Sequence, residues 1–197
     1  MTPLEIAAAA ASFAGIWLTA TRRMLCWPVN LVACALYFAL FLDVRLYADM
    51  VLQALFGVAI VYGWVAWTRG ARDDGAIVTV PLRPAHAIVG LAVGAVAASC
   101  IGWFTSRHTD AALPWIDATL SSFSLVAQYW TARRHRASWL LWIVVDIVYV
   151  GMFLTKGLML TAGLYATMIV LAVIGYRRWR DKGAAVDAGP PIGVSRA

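Results

Sequence analysis

Seven stretches of this chain consist almost entirely of apolar residues, and short segments that hold most of the charges separate them. An α-helix rises about 1.5 Å per residue, so a run of about 20 residues crosses the ~30 Å hydrocarbon core of a bilayer. The pattern therefore predicts an all-α integral membrane protein. Its seven transmembrane helices are expected at residues 4–20, 26–42, 47–67, 86–105, 113–131, 138–155 and 158–176.

The second half of the chain repeats the first when the sequence is shifted by 112 positions without a gap. Matches of tryptophan, tyrosine and glycine carry this repeat, because apolar residues coincide easily by chance. The matched pairs include Trp27 and Trp139, Tyr37 and Tyr149, Gly63 and Gly175, and Trp67 and Trp179. The repeat predicts two three-helix units at 1–70 and 112–182, a loop and linker helix at 71–111, and a flexible cytoplasmic tail at 183–197.

The linker helix determines how the two repeats are oriented. Four crossings separate the starts of the repeats, so both repeats run in the same direction across the membrane. Some transporters use such parallel repeats and bind their solute between them, near the middle of the membrane. The 3+1+3 plan therefore favours a small-solute transporter.

Lysine and arginine are unevenly divided between the two sides that the seven helices define. Thirteen of the sixteen lie on one side if the N-terminus is outside, and only Arg45, Arg107 and Lys156 lie on the other. Basic residues are enriched in cytoplasmic loops. We therefore expect the N-terminus outside and the C-terminus in the cytoplasm.

Composition excludes several classes of protein. The chain is 62% hydrophobic and 13% charged, which is typical of a protein in lipid and not of a soluble globule. The net charge of +6 comes from clusters between the apolar runs, so it does not indicate a nucleic-acid surface. The cysteines Cys26, Cys34 and Cys100 share no metal-ligand spacing, and we expect reduced thiols.

Catalytic and cofactor motifs are absent from the sequence. It contains no phosphate-binding glycine loop, no nucleophile-elbow motif and no pair of carboxylates within one helix. The three histidines, His86, His108 and His135, fall at loops or helix ends, and the last helix lacks the lysine that a retinal Schiff base needs. The sequence predicts no enzyme, metal or cofactor, although a membrane receptor or enzyme on this scaffold stays a remote alternative.

Four polar residues lie inside predicted helices, where an unpaired polar group is costly: Asn30, Gln53, Gln128 and Asp146. Helical spacing places Trp139, Trp142, Asp146 and Tyr149 on one face of the sixth helix. Asn30 and Tyr37 share a face of the second helix. Together with Trp27 and Trp64, these faces predict a cavity with aromatic walls, which suits a planar, cationic, hydroxylated solute better than a phosphate.

Structural explanations compete with this prediction. Tryptophans near helix ends, such as Trp67 and Trp179, are more often belt residues at the membrane interface. Asn30 and Gln53 are equally explained as hydrogen bonds between helices, and Asp146 as a structural acid. The glycines of the repeats are expected at close-packed or hinge positions: Gly57, Gly63, Gly151, Gly163 and Gly175.

Two long segments contain linked motifs at fixed separations. The segment from Trp27 to Trp67 contains Asn30, a Leu-Tyr-Ala-Asp motif at 46–49 and Gln53. The segment from Asp117 to Trp179 contains Gln128, a Trp-x-x-Trp motif at Trp139 and Trp142, and Asp146. With these motifs the chain resembles the PnuC family of vitamin transporters. The resemblance covers nearly the whole chain except the tail and the linker helix.

The resemblance implies a fold similar to that of the SWEET sugar transporters and uptake of nicotinamide riboside by facilitated diffusion, followed by trapping through phosphorylation. It implies no ATPase partner and leaves formation of a homo-oligomer open. It also implies substrate-binding roles for nine residues: Asn30, Gln53, Gln128, Trp139, Trp142, Tyr149, Trp27, Tyr37 and Tyr62. We add Asp146 to this predicted site because it shares the face of the sixth helix with Trp139, Trp142 and Tyr149. Asp146 departs from family members with asparagine there, so thiamine or riboflavin remains an alternative solute.

Overall fold

The computed structural model describes residues 3–43, 47–70, 77–109, 113–155, 157 and 159–180. These residues form seven helices: α1 (Pro3–Ala20), α2 (Cys26–Asp43), α3 (Tyr47–Gly70), α4 (Pro84–His108), α5 (Pro114–Ala132), α6 (Ala137–Thr155) and α7 (Met159–Arg178). The all-helical fold is confirmed, and each helix end lies within three residues of its predicted position. The predicted tail at 183–197 lies outside the described residues.

Five of these helices are long and apolar enough to cross a membrane: α1, α2, α4, α6 and residues 50–69 of α3. Helices α5 and α7 belong to the same bundle. The lower hydropathy of α5 has a structural reason, because its polar side chains Ser122, Ser124 and Thr131 are buried within the protein. These three residues therefore lie inside the bundle instead of facing lipid.

Six helices form a closed ring, in which each helix packs against two neighbours in the order α1, α2, α3, α5, α6, α7 and back to α1. Among the described residues, α2 and α6 share no close backbone contact and lie opposite each other in this ring. Two seams join α1–α3 to α5–α7, one between α1 and α7 and the other between α3 and α5. Side chains from opposite helices therefore meet in the interior of the six-helix ring.

Helix α4 lies outside the ring and, within the described part of the chain, packs against α5 alone. Small residues at every fourth position make this close approach possible: Gly90, Gly94, Ala98 and Gly102. A Cβ at Gly94 would lie 3.1 Å from side-chain atoms of Phe123 and Val126, and one at Gly102 would lie 2.6 Å from the Trp115 indole. The stripe of small residues thus receives the large side chains of α5.

Four tryptophans fill one end of the ring, and we call Trp27, Trp67, Trp139 and Trp179 the tryptophan cluster. Trp27 meets Trp67 edge to face at 5.1 Å, and Trp139 meets Trp179 in the same way at 5.4 Å. Trp67 and Trp179 also touch across the ring at 5.9 Å. The belt interpretation of these last two residues is wrong, because their exposed fractions are 0% and 1%.

Glycines explain how two of these indoles are accommodated. A Cβ at Gly63 would overlap the Trp27 ring, and a Cβ at Gly175 would lie 2.6 Å from the Trp139 ring. The expectation of close packing is confirmed at both glycines. Close packing does not explain Gly151 and Gly163, where a Cβ would meet nothing within 4 Å, and the alternative of a hinge at these positions stays a prediction.

The turns after α1 and α5 have the same structure. Arg22 and Arg134, 112 positions apart, both adopt left-handed backbone conformations with φ of 58° and 63°. Each is the second residue after a helix end, where glycine is usual because other residues are strained there. The Arg22 side chain donates to the Arg178 carbonyl at 2.7 Å, and that of Arg134 donates to the Gly70 carbonyl at 2.6 Å.

These two contacts, which we call the arginine latches, tie each turn to the last carbonyl groups of a helix across a seam. Arg178 is the last residue of α7, and Gly70 is the last residue of α3. A cation at a helix C-terminus also interacts favourably with the helix dipole. The latches give a reason for arginine at positions that favour glycine.

An extended segment before α4 covers the same end of the ring. Ile77 is buried against the tryptophan cluster, and Val80 forms a bridge with His135 in the turn between α5 and α6. The Val80 carbonyl lies 2.9 Å from His135 Nδ1, which donates to it. Burial lowers the pKa of His135, so this imidazole is neutral at pH 7.

Candidate solute-binding site

The interior beyond the tryptophan cluster is lined by side chains that the helices project inward. Asp146 lies seven residues after Trp139 on α6, and Gln53 lies seven residues before Ile60 on α3. Trp139, Asp146 and Ile60 are all buried. Residues seven apart share a helix face, so Gln53 also faces the interior.

Asn30 and Trp142 make the same hydrogen bond in the two halves of the ring. The Asn30 amide donates to the Thr19 hydroxyl at 3.3 Å, and the Trp142 indole donates to the Thr131 hydroxyl at 3.4 Å. Both pairs of partners are 112 positions apart. The two predicted site residues are thereby fixed in place, and the carbonyl oxygen of Asn30 is turned toward Gly15.

Asp146 is the buried carboxyl group of the site, with an exposed fraction of 6%. No lysine or arginine among the described residues forms an ion pair with it. An ionised carboxyl group without a partner is costly within a membrane. A cationic solute would provide the missing partner.

Three tyrosines gather between Asp146 and the end of the ring opposite the tryptophan cluster. Tyr149 and Tyr165 lie 4.6 Å apart, and Tyr165 also lies within electrostatic range of Asp146 and Tyr37. Tyr37 stacks on Phe41 at 5.8 Å, just as Tyr149 stacks on Phe153 at 5.9 Å. The structure thus brings α2, α6 and α7 together around an aromatic enclosure.

Tyr165 was not among the predicted site residues. The repeat contained the signal, since Tyr165 occupies the position of Gln53 after the shift by 112 residues. Matches of identical residues do not show this pair, because glutamine and tyrosine differ in chemistry.

Gln53 and Gln128 remain available to a ligand. Both are half-buried, and neither makes a hydrogen bond with a described group. Gln128 lies on the face of α5 that also carries the buried Ser124 and Thr131. Each amide offers both donors and an acceptor to a solute in the interior.

Trp27 and Trp139 belong to the tryptophan cluster and not to the aromatic enclosure. Both indole nitrogens are buried, and neither has a hydrogen-bond partner in the structure. A buried indole N–H without an acceptor is costly. The structure therefore places these two predicted site residues in the packed end of the ring.

Two other residues of the sequence prediction lie elsewhere. Trp64 is 37% exposed and Tyr62 is 41% exposed, and Tyr62 stacks on Tyr129 at 6.0 Å across the α3–α5 seam. The Arg133 guanidinium donates to the Tyr62 hydroxyl at 3.4 Å, and this bond raises the pKa of Arg133. The structure therefore does not bring Trp64 or Tyr62 together with the interior residues.

The sequence is similar to known transporters over most of its length. A family model described as nicotinamide mononucleotide transporter matches residues 2–181. The nicotinamide riboside transporter PnuC of Escherichia coli (strain K12) is 24% identical over 184 residues, covering 79% of this chain and 77% of that protein. The riboflavin/roseoflavin transporter RibM of Streptomyces davaonensis is 28% identical over 180 residues, covering 86% of this chain and 83% of its own.

A solved structure has the same fold. The crystal structure of the vitamin B3 transporter PnuC superposes with a TM-score of 0.70 at 22% sequence identity. The match covers 89% of this chain and 80% of that chain.

Proposed function

This chain belongs to the nicotinamide mononucleotide transporter family, and from that premise we propose that it carries nicotinamide riboside across the membrane by facilitated diffusion. The solute would bind in the interior of the six-helix ring. Phosphorylation inside the cell, by a separate enzyme, would then trap it. No ATPase is part of this proposal, and homo-oligomer formation is left open.

The distribution of positive charge favours the riboside over its phosphorylated form. Lysine and arginine occur within the described helices only in their last turns, at Arg69, Arg107, Arg177 and Arg178. A phosphate in the interior would find no guanidinium or ammonium to pair with. The solute that suits this site has no phosphate.

The surroundings of Asp146 give the strongest support for the proposal. Its buried carboxyl group, with no cation beside it, lies within reach of an aromatic enclosure formed by Tyr149 and Tyr165. The nicotinamide ring of the riboside is a planar pyridinium cation, so it can stack on the tyrosines and pair with the carboxylate. Its ribose hydroxyl groups suit the free amides of Gln53 and Gln128.

The predicted orientation of the chain assigns each end of the six-helix ring to one face of the membrane. With the N-terminus outside, the tryptophan cluster lies at the cytoplasmic face of a bacterial plasma membrane, where most of the basic residues also lie. The Trp67–Trp179 contact then closes the cytoplasmic mouth. Rocking of α1–α3 against α5–α7 would break that contact, while each edge-to-face pair stays within its own repeat.

Riboflavin is a second candidate solute. The RibM relative matches a larger share of this chain than the E. coli relative does, at 86% against 79%. A flavin also has a flat ring and hydroxyl groups, and it carries no permanent positive charge. The charge on Asp146 therefore separates the two candidates.

Uptake of labelled nicotinamide riboside into proteoliposomes of the purified protein tests the proposal. We expect saturable uptake that excess unlabelled riboside blocks, that nicotinamide mononucleotide does not block, and that needs no ion gradient. Trp142→Ala removes the indole bonded to Thr131 and should abolish uptake. Trp103→Ala removes an exposed indole of α4 and should leave uptake unchanged.

Other outcomes would contradict parts of the proposal. Equal inhibition by the mononucleotide would mean that the site accepts phosphate. Accumulation against a gradient when a sodium or proton gradient is imposed would mean coupled transport. Uptake of riboflavin without uptake of nicotinamide riboside would mean that riboflavin is the transported solute.

A further inference from the structure

Two apolar grooves run along the outside of the protein, one at each seam of the six-helix ring. The α1–α7 groove has a volume of about 570 Å³ and is lined by Phe13, Trp17, Thr167, Val170, Leu171 and Ile174, together with Ala14. The α3–α5 groove, of about 390 Å³, is lined by Leu55, Val58, Ala59, Tyr62, Leu125 and Tyr129. Both volumes fall within the ~300–1,000 Å³ of ordinary ligand clefts.

The two grooves are equivalent under the repeat. A shift of 112 positions takes Phe13 to Leu125, Trp17 to Tyr129 and Val58 to Val170. Most lining side chains differ between the grooves, yet both remain apolar and concave. The shape is therefore a property of the two seams and not of one set of side chains.

Each groove ends at an exposed guanidinium on the side of the tryptophan cluster. Arg178 lies one turn beyond Ile174 on α7, and its guanidinium carbon sits 4.9 Å above the Trp17 ring. Arg133 lies one turn beyond Tyr129, and its guanidinium bonds the hydroxyl of Tyr62. The two arginines come from different positions of the repeat, so a positive charge at each groove end does not follow from the repeat alone.

We propose that each seam groove binds one anionic phospholipid, with an acyl chain along the apolar wall and the headgroup phosphate at Arg178 or Arg133. This inference rests on the proposed orientation, which places both arginines at the cytoplasmic leaflet, the leaflet with the more negative surface. Guanidinium and phosphate form strong charge-assisted hydrogen bonds. Trp17 and Tyr62 hold the guanidinium groups at the groove ends, where an acyl chain meets its headgroup.

Native mass spectrometry of the detergent-purified protein, titrated with phosphatidylglycerol or phosphatidylcholine, tests this inference without any transport assay. We expect two retained phosphatidylglycerol molecules and weaker retention of phosphatidylcholine. Replacing both groove-end arginines with glutamine should lower phosphatidylglycerol affinity about five-fold per site, which corresponds to ~1 kcal/mol per basic residue. Arg23→Gln is the matched control, because Arg23 is an exposed arginine at the same end that lines neither groove.

A second pair of variants tests the contribution of the apolar grooves to lipid binding separately from that of the positive charge. Ala14→Phe and Ala59→Phe fill the two grooves without changing the charge, and each should remove one retained lipid. Equal retention of the two phospholipids would overturn the inference. So would unchanged binding in the filled variants, or a loss that Arg23→Gln reproduces. Because uptake plays no part in this experiment, failure of the proposed function would not imitate any of these results.

Discussion

Asp146 is the single residue on which the choice of solute most directly depends. Asp146→Asn keeps the size of the side chain and removes its charge. If a pyridinium pairs with this carboxylate, the KM for nicotinamide riboside should rise about ten-fold or more, equivalent to at least ~1.4 kcal/mol of binding. Binding of neutral riboflavin should be unchanged.

Concentration-dependent uptake by the two proteins, wild type and variant, measures this effect. Asp43→Asn is the matched control, since Asp43 is an exposed carboxyl group at the end of α2. A KM for the riboside that stays the same in Asp146→Asn would show that the buried carboxyl group does not pair with the solute.

Sequence patterns predicted side chains within one helix better than side chains between helices. Spacing alone placed Trp139, Trp142 and Asp146 on one face of α6, because a helix face follows directly from its period. The burial of Trp67 and Trp179 did not follow from their positions near helix ends. Their partners come from other helices, and only the closed ring brings those partners together.

At the scale of an element, helix α4 shows the same difference between features that its own sequence predicts and features that depend on a neighbouring helix. Its length and apolar composition predicted its ends to within three residues. The four-residue spacing of Gly90, Gly94, Ala98 and Gly102 was present in the sequence and was overlooked. Even with that spacing, the choice of α5 as its partner depends on Phe123 and Trp115 matching the stripe in space.

The stripe on α4 gives a prediction about stability. Gly94→Leu would force side-chain atoms into Phe123 and Val126, and such overpacking typically costs ~1–3 kcal/mol. We expect a lower thermal unfolding midpoint in detergent. Gly151→Leu adds the same atoms where a Cβ meets nothing within 4 Å, so its midpoint should stay close to that of the wild type. An equal fall in both variants would mean that α4 packing is not responsible.

The arginine latches act at the scale of the whole molecule, because they cross both seams of the ring. Arg22→Gln and Arg134→Gln should loosen the closed end without unfolding the helices. Cys26 reports on this change, since it is fully buried beside the tryptophan cluster. With Cys34 and Cys100 replaced by serine, we expect a maleimide to modify Cys26 at least several times faster in the double variant.

Arg23→Gln is the control for that experiment, because it removes a neighbouring positive charge from the same turn without removing a latch. If maleimide labels Cys26 equally slowly in the protein with both latches, in the Arg22→Gln/Arg134→Gln double variant and in Arg23→Gln, the tryptophan cluster stays closed without the latches.

The ring itself was only partly foreseeable. The repeat predicted two three-helix units, and the structure shows equivalent hydrogen bonds between them, from Trp67 to the Thr131 carbonyl and from Trp179 to the Thr19 carbonyl. The order of helices around the ring depends on contacts between units. Apolar faces of similar composition do not specify those contacts in a sequence.

The tryptophan cluster also gives the protein an optical signal of its own. Four of its ten tryptophans are buried and have ring centroids within 6 Å of another indole. Indoles held so close and so rigidly couple their electronic transitions, which produces a strong near-ultraviolet circular dichroism band. When the cluster separates and water enters, that band should fade and the fluorescence should shift to longer wavelengths. The proportion of molecules in which the cluster is open could then be followed in the unlabelled protein.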